Sequence, residues 1–210
     1  LIAPLGKIRR WRGLPALSGT CWEEFVRRGT PLVIPISETM FGGRPADWPG
    51  HFVLTECIFL RTGAVGELDP EMDRFITAAR TQQVPLVLMA FSSMPIPRSV
   101  ILQLAMRIVE ECEARPRVVA LMGPHSNEPC PPSITVQADA LKAQGRLLEA
   151  TGAPFGKLLP LMDCIIIHGG LGTTAEALRA AVPCMATGVM LMDQRCTSHP
   201  VFGSNATTNL

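Results

Sequence analysis

The second half of the chain alternates short apolar runs with amphipathic segments. Mainly apolar runs of strand length occupy Leu86–Phe91, Arg117–Met122 and Cys164–Ile167, and residues 100–112 keep apolar side chains at intervals of three and four. Strands that are apolar on both sides are typical of parallel sheets covered by helices on both faces. The pattern therefore predicts an α/β fold with a Rossmann-like parallel sheet.

Weaker signals complete this region. They predict a short strand at Leu147–Thr151, a broken helix at Phe155–Met162 and a last strand near Cys184–Thr187. Residues 123–146 are polar and contain three closely spaced prolines, which predicts an exposed loop that leads into a short helix.

The first 80 residues follow a less regular pattern. Two short strands are predicted, Leu32–Ile36 and Phe52–Thr55, on either side of a turn-rich stretch at 42–50. Residues 63–70 have the composition of a linker, and 71–79 could form one short helix with a single apolar face.

The most informative stretch begins at Cys164. A β-branched strand stops at His168, three glycines follow, and helix-forming residues resume behind Thr173 and Thr174. Glycines let a ligand approach the backbone, and the amides of a helix's first turn have no intrahelical acceptor. An anion, most often a phosphate, is the natural ligand of such a turn. Thr173 and Glu176 also fit the S/T-x-x-E pattern of a capping box, which predicts a helix capped by Thr173.

Charge limits the kinds of partner. The chain has 19 basic and 18 acidic residues and a formal net charge of +1, so no bulk field favours nucleic acid or an anionic membrane. A basic cluster near the start, Lys7, Arg9, Arg10 and Arg12, fits a solvated helix face better than a binding patch. Both interpretations stay open at this point.

Cysteine usage and hydropathy bear on location. The cysteines form no C-x-x-C pair and several lie in apolar runs, as free thiols do in a reducing compartment; they are residues 21, 57, 112, 130, 164, 184 and 196. No apolar run approaches the roughly 18 residues of a membrane-spanning helix, and no signal peptide is visible. We expect a cytoplasmic protein, with membrane association left open.

Two other interpretations of the glycine turn remain. Gly170–Ala175 satisfies the dinucleotide pattern G-x-G-x-x-A, and Asp193 follows about 20 residues later. The match is weak, because that fingerprint usually opens its domain and here at least two strand–helix units precede it. The other alternative is an ordinary strand–helix corner with a hydrogen-bonded histidine. A P-loop is excluded, since no Gly-Lys-Ser/Thr is present.

Several motifs occur in a consistent order along the chain. The sequence H-G-G-L-G-T-T begins at His168, A-L-R-A-A-V-P-C begins at Ala177, and Asp193-Gln194 follows. Together they resemble the donor-sugar motif of the UDP-dependent glycosyltransferases, especially the sterol 3-β-glucosyltransferase branch. Three further segments are similar to that family in the right order: Pro45–Pro49, Ala90–Met94 and Ala153–Pro160.

This resemblance implies an architecture of two Rossmann-like domains, the GT-B fold. Residues 1–78 would be the end of the N-terminal acceptor domain with the interdomain linker. Residues 79–210 would be the nucleotide-sugar-binding domain, truncated at its C-terminus.

The resemblance also implies a set of donor-binding residues. His168 would hydrogen-bond the diphosphate, and the amides and hydroxyls of the turn would cradle its oxygens. Ser93 would add a hydroxyl contact, and Asp193 and Gln194 would hold sugar hydroxyls. The implied set is Ser93, His168, Gly170, Gly172, Thr173, Thr174, Asp193 and Gln194. No metal and no cofactor are expected, because the UDP-sugar is a substrate and hydrogen bonds stabilise the departing diphosphate.

The implied reaction transfers a hexose, with glucose expected, from a UDP-sugar to a lipid hydroxyl such as a sterol. The partners would be that donor and acceptor, without nucleic acid, and could include a membrane surface.

Two departures from the family qualify this expectation. The family's general base is a histidine near the start of the N-terminal domain, and His51 lies in no matching motif. The sequence after Gln194 also differs from the family. We therefore expect a fragment that binds UDP weakly and turns nothing over; a non-catalytic remnant of the fold, or less favourably an NAD-binding enzyme, stays open.

Overall fold

The chain folds in two units, Leu1–Ile58 and Phe59–Leu210, according to its internal contacts. The structure is a computed structural model, and it describes residues 2–16, 19–41, 43–58, 66–91, 94–123 and 129–187.

The described residues of the first unit form three helices and a pair of parallel strands. They are α1 (Ile2–Trp11), α2 (Cys21–Arg28), β1 (Leu32–Ile34), α3 (Glu38–Phe41) and β2 (Phe52–Leu54), with β1 and β2 paired. Both predicted strands are confirmed, each one or two residues shorter than expected. The helix α2 was not predicted, and α1 was indicated only by the interpretation of its basic cluster as a solvated helix face.

Helix α2 begins at a capping box that the sequence contains. Thr20 Oγ1 accepts a hydrogen bond from the Glu23 amide at 3.2 Å, and the Glu23 carboxylate accepts one from the Thr20 amide at 2.7 Å. The helix ends at Gly29, whose φ of 61° is left-handed and favours glycine. Both ends of this short helix are therefore specified locally.

The described residues of the second unit form a five-stranded sheet. Its strands are β3 (Leu86–Ala90), β4 (Arg117–Leu121), β5 (Leu147–Ala150), β6 (Cys164–Ile167) and β7 (Cys184–Ala186). All pairs are parallel, and the spatial order is β5–β4–β3–β6–β7. The first strand of this sheet in chain order, β3, is thus central, and later strands are added on both sides of it.

Helices cover both faces of this sheet. They are α4 (Pro70–Thr81), α5 (Arg98–Glu111), α6 (Pro132–Ala143), α7 (Phe155–Leu158) with a following 3₁₀ turn at Leu159–Leu161, and α8 (Leu171–Arg179). Buried side chains of α5 and α6 pack on one face, and those of α4, α7 and α8 pack on the other. The predicted Rossmann-like α/β fold is confirmed.

Two expectations about this unit differ from the structure. Residues 132–143 form a full helix where a loop was the main expectation, because Pro132 occupies the first helical turn, where its missing N–H costs nothing. The expected boundary after residue 78 falls inside α4. The buried side chains of Met72, Phe75 and Ala79 pack into the core of the sheet, so the contacts place all of α4 in the second unit.

Among the residues that the structure describes, no helix is both long and apolar enough to cross a membrane.

A charged cluster joins β5 to the two helices on its face. The Glu149 carboxylate accepts from Arg98 Nη2 at 2.8 Å and from Lys142 Nζ at 2.7 Å. The hydrogen bond from Arg98 holds the pKa of Glu149 below its usual range, against the opposing effect of burial. The ionised carboxylate is therefore stabilised in the folded protein.

We expect Glu149→Gln to lower the free energy of unfolding by about 1 kcal/mol at neutral pH. Because the folded pKa of Glu149 is lowered, its contribution is present above the ordinary glutamate value of 4.5 and is lost as pH falls through the folded pKa. Urea unfolding at a series of pH values should show the difference between wild type and variant shrinking below that value.

The matched control is Glu111→Gln, which removes an exposed pair with Arg107 and should change little at any pH. A wild-type to Glu149→Gln difference that stays constant down to acid pH would contradict the assignment.

Candidate functional site

The carboxyl ends of β3 and β6 lie side by side at the centre of the sheet. Ala90 is paired with Ile167 in the register of these strands. From β3 the chain proceeds to β4 on one side, whereas from β6 it proceeds to β7 on the other. Ligands of open α/β sheets bind in the crevice at such a switch in strand order.

The turn after β6 is shaped by two glycines. Gly169 has a φ of 81°, which disfavours other residues, and Gly170 is the N-cap of α8. The first helical hydrogen bond runs from the Thr174 amide to the Gly170 carbonyl at 3.0 Å. The helix therefore starts directly beyond the carboxyl end of the sheet.

The predicted capping box at Thr173 and Glu176 is wrong. Helix α8 begins at Leu171, so Thr173 is its third residue, and the N-cap Gly170 makes no side-chain hydrogen bond. Glu176 instead accepts a hydrogen bond from Arg179 Nε at 3.1 Å. The glycine turn ends the strand early enough for the helix to start three residues before the pattern suggested.

The structure changes the role expected for the Thr174 hydroxyl. Thr174 is 0% exposed, and its Oγ1 donates to the Gly170 carbonyl at 3.0 Å. Its hydroxyl hydrogen is already used inside the protein, so we assign this side chain to the helix start and not to the ligand.

The His168 ring lies directly over Gly170. A Cβ placed on Gly170 would overlap Nε2 of this ring and come within 3.1 Å of Cε1 and 3.2 Å of Cδ2. His168 is only 6% exposed, so the ring cannot easily move away. The absence of a side chain at residue 170 thus leaves room for the imidazole at the start of α8.

Gly172, unlike Gly170, has room for a side chain. It is exposed, and a Cβ built on it would have no heavy atom within 4 Å. The fold does not require glycine here. A ligand that approaches the backbone closely would require it.

These residues lie together at the start of α8. The amides of the first turn of α8 face outward at the positive end of the helix dipole, and the imidazole lies beside them. The structure brings together four of the predicted site residues: His168, Gly170, Gly172 and Thr173. Ser93, Asp193 and Gln194 lie outside the described residues.

A pocket opens on the other side of β3. It has a volume of about 200 Å³ and is lined by Ala90, by Leu121, Met122 and Gly123 at the end of β4, and by Thr151, Gly152, Ala153 and Phe155 after β5. Sequence analysis missed these residues as part of a site. The available signals were Gly123 and Gly152, each of which directly follows a predicted strand.

The described residues contain no group of three or more His, Cys, Asp or Glu side chains that could hold a metal ion.

The two glycines should respond oppositely to alanine. Gly170→Ala should lower the free energy of unfolding by about 1–3 kcal/mol, because the new methyl overlaps a buried ring. Gly172→Ala should raise it by up to about 1 kcal/mol through helix propensity. Urea unfolding of both variants measures these changes.

A double-mutant cycle isolates the contact. In a His168→Ala background the new methyl at residue 170 has no ring to overlap. Gly170→Ala should then lower the free energy of unfolding only by the smaller amount that follows from losing glycine at an N-cap. An unchanged cost in that background would refute the role given to the imidazole.

No family model matches the chain. Among curated proteins, it is 26% identical over 181 residues to O-mycaminosyltylonolide 6-deoxyallosyltransferase of Streptomyces fradiae, covering 86% of this chain and 38% of that protein. It is 27% identical over 180 residues to sterol 3-beta-glucosyltransferase of Penicillium rubens, covering 85% of this chain and 13% of that protein. The chain spans well under half the length of these two relatives, and their nearly equal identities do not single out the sterol branch.

Solved structures give the same fold. The chain superposes on the glycotransferase of kitacinnamycin with a TM-score of 0.59 and 12% identity, over 95% of this chain and 46% of that one. It superposes on Phytolacca americana UGT2, complexed with UDP-2fluoro-glucose and pterostilbene, with a TM-score of 0.57 and 13% identity, over 79% and 37% of the two chains. The chain thus has a Rossmann-like α/β fold that matches part of these glycosyltransferases, and its sequence resembles the UDP-dependent glycosyltransferases, as its motifs predicted.

Proposed function

We propose that this chain supplies the donor site of a glycosyltransferase that moves glucose from UDP-glucose to a lipid hydroxyl such as that of a sterol. The observation that carries the proposal is the His168 imidazole held over Gly170 at the start of α8, where the strand order switches. Its sequence, H-G-G-L-G-T-T, agrees with the glycosyltransferase resemblance.

The diphosphate occupies the first turn of α8. Backbone amides of Gly170, Gly172 and Thr173 donate to its oxygens, and the His168 ring adds a hydrogen bond from the side. As the bond between the sugar and the β-phosphate breaks, negative charge grows on the departing UDP. Donors that are already in place stabilise this charge more than they stabilise the substrate, which is how they accelerate the reaction. This scheme needs no metal and no cofactor.

The nucleoside lies across β3 from this turn. The pocket at the ends of β3, β4 and β5 is large enough for a pyrimidine ring and offers both an aromatic side chain, Phe155, and backbone polar groups around Gly152. Strands are about 4.8 Å apart, so β6 and β5 are separated by about 14 Å, and UDP would extend over the strand ends between them.

The remaining donor contacts come from residues that follow the strand ends in sequence. We assign Ser93, after β3, to the phosphates, and Asp193 and Gln194, after β7, to the sugar hydroxyls. A carboxylate and an amide can each take paired hydroxyl contacts. The resemblance to the donor-sugar motif supports this assignment.

The acceptor assignment has separate support. One relative is named as a sterol 3-beta-glucosyltransferase, and 85% of this chain aligns with it. A lipid acceptor would bring the protein to a membrane surface. We propose that the protein lies on the cytoplasmic side of this membrane. The described cysteines are all free thiols, as is usual in a reducing compartment.

Titration calorimetry with UDP tests the donor site. Gly172→Ala should weaken UDP binding at least about tenfold while leaving the fold intact, because the methyl occupies the approach of the phosphate to the amides. His168→Ala should weaken it about tenfold to a hundredfold, the equivalent of one charge-assisted hydrogen bond. Equal heats of UDP binding from wild type and both variants would show that this turn does not bind UDP.

The same titration separates the parts of the donor. Asp193→Ala should weaken binding of UDP-glucose and leave UDP unchanged, whereas Ser93→Ala should weaken both. NAD is the control ligand, since G-x-G-x-x-A also fits a dinucleotide. Heats with NAD and none with UDP would replace the proposal by the dinucleotide alternative, and no heats with either would indicate a non-catalytic remnant.

The acceptor is tested by transfer from radiolabelled UDP-glucose. With a 3β-hydroxysterol in detergent micelles we expect sterol glucoside as product, provided that the protein assayed includes a general base. A macrolide alcohol in the same micelles is the matched control. Labelling of the macrolide and not of the sterol would overturn the lipid assignment without affecting the donor site.

A further inference from the structure

The outward face of α1 combines an aromatic, an aliphatic and several cationic side chains. Trp11 is 85% exposed and Ile8 is 51% exposed. They are three residues apart, and Lys7 is four residues before Trp11, so the three share one side of the helix. Arg10 is exposed beside them, and Arg12 is exposed in the turn that directly follows the helix. We call Lys7, Ile8, Arg10, Trp11 and Arg12 the α1 face.

The cations of this face are not neutralised. Residues 1–16 contain no Asp or Glu. In the described part of the chain, no carboxylate lies within ion-pair distance of Lys7, Arg10 or Arg12. Two arginines of α2 differ, since Arg27 and Arg28 both pair with Glu24.

Arg9, the remaining cation of this helix, differs from the exposed cations of the α1 face. Arg9 is half-buried, and its Nε donates to the Pro15 carbonyl at 2.9 Å. This bond holds the segment after α1 against the helix. Leu14, in that segment, is exposed and extends the apolar surface.

We propose that the α1 face docks on an anionic lipid surface. Lysine and arginine are attracted to acidic headgroups, while a tryptophan ring and an isoleucine fit the boundary between headgroups and acyl chains. Ten residues are too few to span a bilayer, so the helix would lie in the plane of the interface. An acidic protein segment would match the charges equally well. A highly exposed tryptophan at the centre of the face favours an interface that is apolar on one side and wet on the other.

The attraction is local and additive. Each cation near an anionic surface contributes about a five-fold increase in binding, so Lys7, Arg10 and Arg12 together contribute about a hundredfold at low salt. The effect falls with rising ionic strength. This inference does not rest on the proposed reaction, although a lipid acceptor would lie on the same surface.

The test is sedimentation of the whole chain with vesicles of phosphatidylcholine, with and without phosphatidylserine. We expect binding that requires phosphatidylserine and weakens with salt. Replacing Lys7, Arg10 and Arg12 with Gln should lower binding about a hundredfold. The matched control replaces Arg27, Arg28 and Arg107 with Gln; it changes net charge equally but removes only paired cations, and should bind nearly as wild type.

A second variant tests the apolar part of the face. Trp11→Ala should lower binding to the same vesicles, whereas Val136→Ala, at another highly exposed apolar position, should not. All substitutions are at exposed side chains, and circular dichroism checks that the fold is kept.

Three results would overturn the proposal. They are equal sedimentation with and without phosphatidylserine, full binding by the Lys7, Arg10 and Arg12 variant, and binding to polyglutamate in place of vesicles, which would assign the face to an acidic protein.

Discussion

The close approach of the His168 ring to the backbone of Gly170 is the constraint on which the site depends. The strand β6 must end at residue 167, the helix must begin at residue 171, and the ring must lie between them. Gly169 makes the change of direction possible, and the missing side chain at 170 leaves room for the imidazole. Strand end, helix start and ring position are therefore one geometric unit. The wider fold places this unit at the switch in strand order.

Much of the second unit could be predicted because its strands are apolar on both sides. Leu86–Ala90, Arg117–Leu121 and Cys164–Ile167 all lie within a residue of their expected limits. The strand order could not be predicted from alternation, since the direction taken by each crossover is not encoded in the periodicity of a strand. The length of α6 was underestimated because the prolines at its start were interpreted as signals of a loop. A proline in the first turn is compatible with a helix.

The S/T-x-x-E pattern alone does not determine whether a capping box forms. Thr20 and Glu23 form the hydrogen bonds that S/T-x-x-E predicts, and Thr173 and Glu176 do not, although the pattern is the same. The difference lies in what precedes each threonine. Residues 19 and 20, directly before α2, belong to neither a helix nor a strand, whereas a strand and a glycine turn already determine where α8 starts. The same reasoning applies to the pocket, whose residues come from segments far apart in sequence and meet only through strand register.

Selection for stability alone would have different effects at Gly170 and Gly172. At Gly170 the requirements of the fold and of the site coincide, so a screen for thermal resistance would keep glycine. At Gly172 they conflict, because open space around the Cα makes larger residues acceptable to the fold alone. Laboratory evolution for heat resistance without a ligand would tend to lose glycine at 172 first, and a stabilised scaffold made in this way would be a protein with an intact sheet and a blocked helix terminus.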